Sequence, residues 1–152
     1  MRYYEDLEIG AVSRFGHREV TRDEVIAFAG KYDPQPFHLS EEAAAKTHFG
    51  RLSASGWHTC AMTMGMIVEE QDRAGHQGLG SPGIDQLRWT HPVYPGDTLR
   101  VETEILEKRR SRSRPEMGLF RAVTRVFNQD DVMVLSMESN AMVRTRDASG
   151  TD

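Results

Sequence analysis

The sequence has little that would tie the chain to a membrane, to nucleic acid or to an oxidising compartment. It contains one cysteine, Cys60, which excludes an intrachain disulfide and favours a reducing environment. No apolar run approaches the roughly 20 residues that span a bilayer, and the first ten residues lack the basic and apolar stretches of a signal peptide. The formal net charge of −4 argues against nucleic acid as a main partner. We therefore expect a cytoplasmic protein with neither a membrane nor a nucleic-acid partner.

The length and composition are those of one globular domain. A chain of 152 residues is enough for one domain and too short for two of ordinary size. Hydrophobic residues make up 38% of it, as in chains that fold around a buried core. We predict a domain over residues 1–146 and a disordered tail over residues 147–152.

Helical patterns occupy the first half of the chain. Thr21 and Glu24 fit a capping box in front of a short amphipathic helix, which must end near Tyr32 because two prolines follow. Ser40 is placed to cap a second helix. Gly56 opens a longer helix with apolar residues on most sides, which is typical of a helix buried in the centre of a domain.

Strand patterns occupy the second half, after a glycine-rich stretch at 72–83 that reads as a loop. Apolar and polar residues alternate there, and a turn is expected at 128–131. The candidate strands lie within 84–93, 97–105 and 118–144, the last holding two, with a fifth at 11–20. Such a sheet has one face to bury and one long apolar helix to bury it against. The predicted fold class is α+β, a curved antiparallel sheet wrapped around a long central helix.

Asp33 and His38 bring a carboxylate and an imidazole together on a short segment stiffened by two prolines. A general acid/base pair must hold its atoms within hydrogen-bond reach of one small target, and a loop with few conformations loses less entropy in doing so. The same spacing also fits a rigid turn in which Asp33 caps a backbone amide and His38 is merely exposed. Spacing alone leaves both interpretations open.

Gly56 leads directly into the long helix. The first amides of a helix have no internal partner and the dipole makes that end partly positive, so an oxygen that gains negative charge is stabilised there. A glycine at this position also allows close approach to the backbone. The alternative is a helix start in which Ser55 is the N-cap and Gly56 serves tight packing.

Together these residues resemble the MaoC-type (R)-specific enoyl-CoA hydratase/dehydratase family. The resemblance rests on Asp33-x-Gln35-Pro36-Phe37-His38, on Gly56 at the start of the long helix, and on PVYPGD at 92–97 ahead of a strand. It implies a hotdog fold, and it implies that two copies pair side by side with the active site at their interface, as a homodimer or as part of a larger assembly of such dimers. The expected substrate is an acyl-CoA or acyl-carrier thioester. Coenzyme A enters as part of the substrate, and no separate cofactor is implied.

The resemblance also assigns roles. Asp33 and His38 would be the catalytic dyad that holds a water, and the Gly56 amide would bind the thioester carbonyl. Further substrate contacts are expected at Gln35, Pro36, Ser55, Trp57 and Met64. Two of these depart from the family pattern, because an asparagine is usual at Gln35 and a serine is often found at Met64. The lost hydroxyl at Met64 predicts a pocket or substrate unlike that of the short-chain hydratases.

Five cations fall within residues 108–114, at what reads as a hairpin tip. One interpretation is a solvated tip; the other is contact with coenzyme A phosphates from the partner subunit through Arg109, Arg110 and Arg112. The six histidines show no metal-ligand spacing, so we predict no metal site. Cys60 lies two residues after His58, but positions i and i+2 of a helix face different sides, which favours a core thiol over a nucleophile.

The sequence thus predicts a hydro-lyase that adds water to, or removes it from, the 2,3 double bond of an acyl thioester. Two alternatives remain. One is a hotdog thioesterase that uses a carboxylate of the central helix, for which Glu69 and Glu70 are candidates. The other is a non-catalytic module that binds acyl thioesters in the same pocket.

Overall fold

A five-stranded antiparallel sheet wraps around one long helix in the computed structural model, which describes residues 1–147. Within that range the helices are α1 (Arg22–Tyr32), α2 (Glu41–Ala45) and α3 (Gly56–Ala74), with short 3-10 turns at Tyr4–Asp6 and Pro36–His38. The strands are β1 (Val12–Glu19), β2 (Gly78–Trp89), β3 (Thr98–Arg110), β4 (Met117–Phe127) and β5 (Met133–Arg144). The predicted α+β class is confirmed.

The sheet has the order β1-β3-β4-β5-β2. Strands β3, β4 and β5 form two consecutive hairpins, the second of which turns at the predicted residues 128–131. The edge strands come from distant parts of the chain: β1 pairs with β3 and β2 pairs with β5. The predicted fifth strand at 11–20 is therefore confirmed as β1.

The core lies between one face of α3 and the concave side of the sheet. Met62 and Met66 of α3 pack with buried strand residues that include Val101, Val126 and Leu135. Burial of each such side chain contributes about 1.5–3 kcal/mol relative to exposure. Strand β1 comes closest to the helix at Gly16, whose φ is +83° and where a Cβ would lie 2.5 Å from the Met66 sulfur. A glycine is needed there for both its backbone conformation and its lack of a side chain.

The predicted extent of the loop over 72–83 is wrong at both ends. Helix α3 continues to Ala74, where Gly75 caps it in the left-handed region with φ +66°, and β2 begins at Gly78. The glycines fit a strand because β2 is an edge strand that changes register at Gly80 and again at Gly83. The strand also ends earlier than predicted, at Trp89.

Helix α3 is buried on one face only, which corrects the prediction that apolar neighbours surround it. Trp57, Met64 and Val68 are 57%, 48% and 42% exposed and form one stripe along the outer face of α3. Nearly every residue of β2 beside it is exposed as well. An apolar sequence pattern does not distinguish burial within the chain from an apolar face that the chain leaves open.

The basic run is not confined to a hairpin tip as predicted. Strand β3 extends to Arg110, so the turn holds only the last two of the five cations, Arg112 and Arg114. The carbonyl of Asp147 accepts a hydrogen bond from the Arg110 guanidinium at 3.0 Å. The rest of the predicted tail, residues 148–152, lies outside the described residues.

Candidate active site

Asp33 and His38 face each other on the connection between α1 and α2. Asp33 ends α1, its N–H donating to the Ala29 carbonyl at 2.9 Å, and Pro36 starts the 3-10 turn that carries His38. The turn reverses the chain so that Asp33 Oδ2 lies 3.5 Å from His38 Nε2. The Asp33 and His38 side chains are 16% and 6% exposed. His38 is thus not the exposed residue that the turn interpretation required.

The segment that leads into α3 holds both side chains in place. The Ser53 carbonyl lies 2.7 Å from His38 Nδ1, and the Ser55 hydroxyl donates to Asp33 Oδ2 at 2.6 Å. The Gln35 side-chain amide donates to Asp33 Oδ1 at 2.8 Å. The pKa of Asp33 lies below its ordinary value because the Ser55 hydrogen bond stabilises the carboxylate, and the Gln35 hydrogen bond adds to this effect against partial burial. Asp33 is therefore ionised at neutral pH.

The contact with Ser53 fixes the tautomer of His38. A carbonyl oxygen only accepts, so Nδ1 carries the proton and Nε2 of the neutral ring presents a lone pair towards Asp33. The ionised carboxylate also presents an acceptor to the same space. A water molecule there can donate one hydrogen to each group and keep its oxygen lone pairs available. This is the arrangement of a general base poised to activate water.

The dyad opens onto a cleft of about 580 Å³ that also contains the start of α3. Aromatic and imidazole side chains form much of its wall, namely Phe37, His48, Phe49, Trp57, Trp89 and His91. Among residues 1–147, no acceptor takes the Gly56 N–H. Gly56 thus presents a helix N-terminal amide to the same cleft as the dyad, which suits an oxygen that becomes negatively charged.

The residues expected to contact substrate fall into four positions relative to the cleft. Gln35 and Trp57 line the cleft together with Asp33, His38 and Gly56. Ser55 is buried behind the wall, where its hydroxyl both holds Asp33 and accepts the Trp57 N–H at 3.3 Å as the N-cap of α3. Pro36 shapes the turn without lining the cleft. Met64 is not brought to the cleft within one chain, because it lies about 12 Å further along α3 on the exposed face.

Phe49 and Trp89 are wall residues that motif reasoning missed. Phe49 belongs to an irregular stretch with no periodic pattern, and Trp89 is the last residue of a strand and lies more than thirty residues after Gly56. No local signal marks either residue. Of the aromatic residues around the start of α3, only Trp57 was among the substrate contacts expected from the sequence.

The three candidate phosphate contacts are not equivalent. Arg110 has a structural role, since it forms an ion pair with Glu5 at 2.7 Å and lies over the Tyr4 ring. Arg109 and Arg112 are exposed beside the β3–β4 turn. Both lie at the opposite end of β2 from the cleft in the same chain, because the turn is next to Gly78 and the cleft is next to Trp89.

The remaining candidates play no part in this cleft. Burial raises the pKa of the Cys60 thiol, which keeps it protonated, while the His58 ring stacks on Phe28 of α1 at 4.7 Å. Glu70 makes two hydrogen bonds to Arg73 near the other end of α3. Within residues 1–147 no three histidine, cysteine or acidic side chains are grouped so as to hold a metal ion.

Comparisons with known proteins show the family to which the chain belongs. The profile of the family described as MaoC like domain matches residues 7–125. An uncharacterized protein from Bacillus subtilis, YdeM, is 30% identical over 140 residues, which cover 92% of this chain and 97% of that protein. A 3-hydroxybutyryl-CoA dehydratase from Methylorubrum extorquens is 34% identical over 107 residues, 69% of this chain and 64% of the enzyme.

A solved structure extends the likeness to the whole fold. The MaoC-like dehydratase from Rhodospirillum rubrum superposes with a TM-score of 0.87 at 37% identity, covering 97% of this chain and 99% of that one. The chain belongs to the MaoC-like family, and its sheet wrapped around α3 is a hotdog fold. No helix in residues 1–147 is long and apolar enough to cross a bilayer.

Proposed function

We propose that this protein hydrates the 2,3 double bond of an enoyl thioester, or catalyses the reverse dehydration, on an acyl chain carried by coenzyme A or an acyl carrier protein. The observation that carries the proposal is the 3.5 Å approach of Asp33 Oδ2 and His38 Nε2 in the cleft that also holds the Gly56 amide. Relatives named as a 3-hydroxybutyryl-CoA dehydratase and a MaoC-like dehydratase support the same reaction class.

The chemistry assigns one role to each group. Water held between Asp33 and His38 attacks C3, and the new C–O bond forms as a water proton passes to His38 Nε2. The π electrons move towards the thioester oxygen, which the Gly56 amide stabilises. The proton on Nε2 then reaches C2 and completes the 3-hydroxyacyl product. His38 is the base in this scheme because Asp33, with its lowered pKa, binds a proton weakly and instead stabilises the imidazolium.

The substrate site is completed in this proposal by a second copy of the chain. The exposed stripe of α3 begins at Trp57, whose ring meets that of Trp89 on the exposed edge strand β2, and Ile84 of the same strand is 52% exposed. Pairing two β2 strands antiparallel about a two-fold axis buries both features and continues the sheet. It also brings the β3–β4 turn of one copy to the end of the sheet where the other copy has its cleft. Arg109 and Arg112 would then reach the phosphates of a carrier bound to the other copy.

The reaction is tested with a panel of enoyl-CoA esters of graded chain length and branching, followed by loss of the conjugated enoyl absorbance and by chiral analysis of the product. Asp33→Asn and His38→Gln are each expected to lower kcat by at least about a hundredfold. Asp23→Asn and His17→Gln are the matched controls, because both residues are exposed and lie outside the cleft.

Each contrary result identifies another function. Folded Asp33→Asn and His38→Gln proteins that hydrate at the parent rate would refute the assigned dyad. Release of free thiol with the unhydrated acid as the other product would indicate a thioesterase, and Glu70→Gln would then be the decisive variant. Tight binding of acyl-CoA without turnover would indicate a binding module.

The pairing is tested by light scattering during size-exclusion chromatography. The parent is expected to elute as a dimer or a larger assembly, whereas Met64→Lys and Ile84→Lys should shift it towards the monomer. Val132→Lys is the control, since Val132 is 38% exposed but lies at the β4–β5 turn. A monomeric parent, or lysine variants that assemble like the parent, would contradict the proposed interface.

A further inference from the structure

Trp89, the last residue of β2, rests directly on the first residue of α3. Its indole Nε1 donates a hydrogen bond to the Gly56 carbonyl at 2.9 Å. A Cβ built on Gly56 would lie 2.5 Å from Cε2 of the indole, so only glycine permits this contact. The indole is thus specifically seated on the residue whose amide faces the dyad.

The hydrogen bond from Trp89 completes a clamp on one peptide group. In the peptide that joins Gly56 to Trp57, the carbonyl accepts from Trp89 Nε1 and the N–H donates to the Ser55 hydroxyl at 3.3 Å. The Ser55 hydroxyl in turn donates to Asp33. The Gly56 N–H belongs to the preceding peptide, whose Ser55 carbonyl accepts the Thr59 N–H at 3.1 Å. Hydrogen bonds on both sides of the Gly56 Cα thus limit how far this N–H can turn relative to the dyad. An amide that does not reorient during the reaction stabilises a developing oxyanion best.

The ring of Trp89 makes a second set of contacts. It lines the cleft and meets Trp57 edge to face, with the ring centroids 5.1 Å apart and the planes at 80°. The indole therefore covers the side of Gly56 on which any other residue would carry its side chain. The flat face also suits the planar carbons of a conjugated enoyl thioester.

We propose that Trp89 is a positioning residue for the Gly56 amide and also forms one wall for the conjugated end of the substrate. The indole N–H holds the amide, and the ring contacts the substrate. This inference rests on the proposed function. The inference assigns different kinetic effects to the N–H donor and to the aromatic ring of Trp89. Loss of the N–H should lower kcat, whereas loss of the ring should also raise KM.

Two substitutions separate these properties. Trp89→Phe keeps an aromatic wall without the donor, and kcat is expected to fall about threefold to tenfold with KM within about twofold of the parent. Trp89→Leu removes both, and KM should rise by about a further threefold to tenfold. Phe127→Leu is the control for losing an aromatic ring, because Phe127 ends β4 outside the cleft, next to Arg100. Thermal unfolding of every variant reports its folding.

A spectroscopic readout distinguishes positioning from a purely structural role. Butyryl-CoA labelled with ¹³C at the thioester carbonyl cannot be hydrated, and its infrared carbonyl stretch shifts to lower frequency when an amide polarises it. Trp89→Phe is expected to reduce that shift relative to the parent. A purely structural role would lower the unfolding temperature and leave the shift, kcat and KM unchanged, which would overturn the inference.

The outcomes also separate this inference from the proposed function. A parent that hydrates enoyl-CoA while both Trp89 variants match it refutes the inference alone. A parent that binds butyryl-CoA without hydrating any ester refutes the proposed function, and a smaller carbonyl shift in Trp89→Phe would then still support the positioning role. Equal shifts in parent and variant would refute that role as well.

Discussion

Ser55→Ala tests whether the hydroxyl that caps α3 also holds the Asp33 carboxylate. Ser55 accepts the Trp57 N–H at 3.3 Å and donates to Asp33 Oδ2 at 2.6 Å. Loss of an N-cap costs about 1 kcal/mol. A hydrogen bond to a charged group contributes about 1.5–3 kcal/mol more. The substitution is therefore expected to lower the free energy of unfolding by about 2.5–4 kcal/mol.

Thr21→Ala supplies the matched control. Thr21 caps α1 through an N–H bond of the same length, 3.3 Å, but its side chain has no contact with the dyad. It should cost about 1 kcal/mol. The difference between the two variants isolates the bond from Ser55 to Asp33, and is measured by urea unfolding at one fixed protomer concentration.

The pH dependence gives an independent check. The Ser55 hydrogen bond lowers the pKa of Asp33 below its ordinary value of 3.8. The stability that this bond contributes is therefore fully present above that ordinary value and is lost as the pH falls through the folded-state pKa. The difference in free energy of unfolding between Ser55→Ala and Thr21→Ala should therefore become smaller in acid. Equal costs for the two variants at neutral pH would refute the role assigned to the bond.

Three further predictions concern the rest of the chain. Gly16→Ala should lower the free energy of unfolding in urea by at least about 1–3 kcal/mol more than Gly10→Ala. Both glycines have φ +83°, so the backbone strain is the same, but only Gly16 faces an α3 side chain. Equal losses in the two variants would contradict the close approach. Burial lowers the pKa of His58, so stability should fall as the pH drops below its ordinary value of 6.5, and His58→Gln should flatten that slope; an unchanged slope would exclude His58 as its source. Arg112→Ala should raise KM for coenzyme A esters at constant kcat, whereas Arg110→Ala should lower the unfolding temperature; the reverse pattern would contradict the proposed carrier contact.

The parts of the fold that could be predicted are those set by local patterns. The caps at Thr21, Ser40 and Ser55 were visible because each is a hydroxyl residue at a helix start, and each accepts the expected backbone N–H. The alternation of β3 to β5 followed from one buried face. Strand β2 was placed too late because its glycines are typical of loops, and only pairing with β5 reveals them as part of a bulged edge.

The candidate site divides in the same way. Asp33, His38 and Gly56 were predictable because all lie within one short stretch and resemble a known motif. The contact between the Ser53 carbonyl and His38, and the contact between Trp89 and Gly56, could not be predicted. The Ser53 carbonyl is a backbone atom, so no residue type signals its contact with His38, and Trp89 reaches Gly56 only through the pairing of β2 with β5.

This division reflects what each part of the site requires. The dyad and its hydrogen-bond partners all come from residues 33–55, so one local segment lowers the pKa of Asp33 and fixes the tautomer of His38. The amide that would stabilise the oxyanion depends instead on a residue delivered by an edge strand of the sheet. That same strand is the one that we expect to pair with a second copy. Assembly would thus act on the amide and the cleft wall through Trp89, while the dyad keeps its geometry within a single chain.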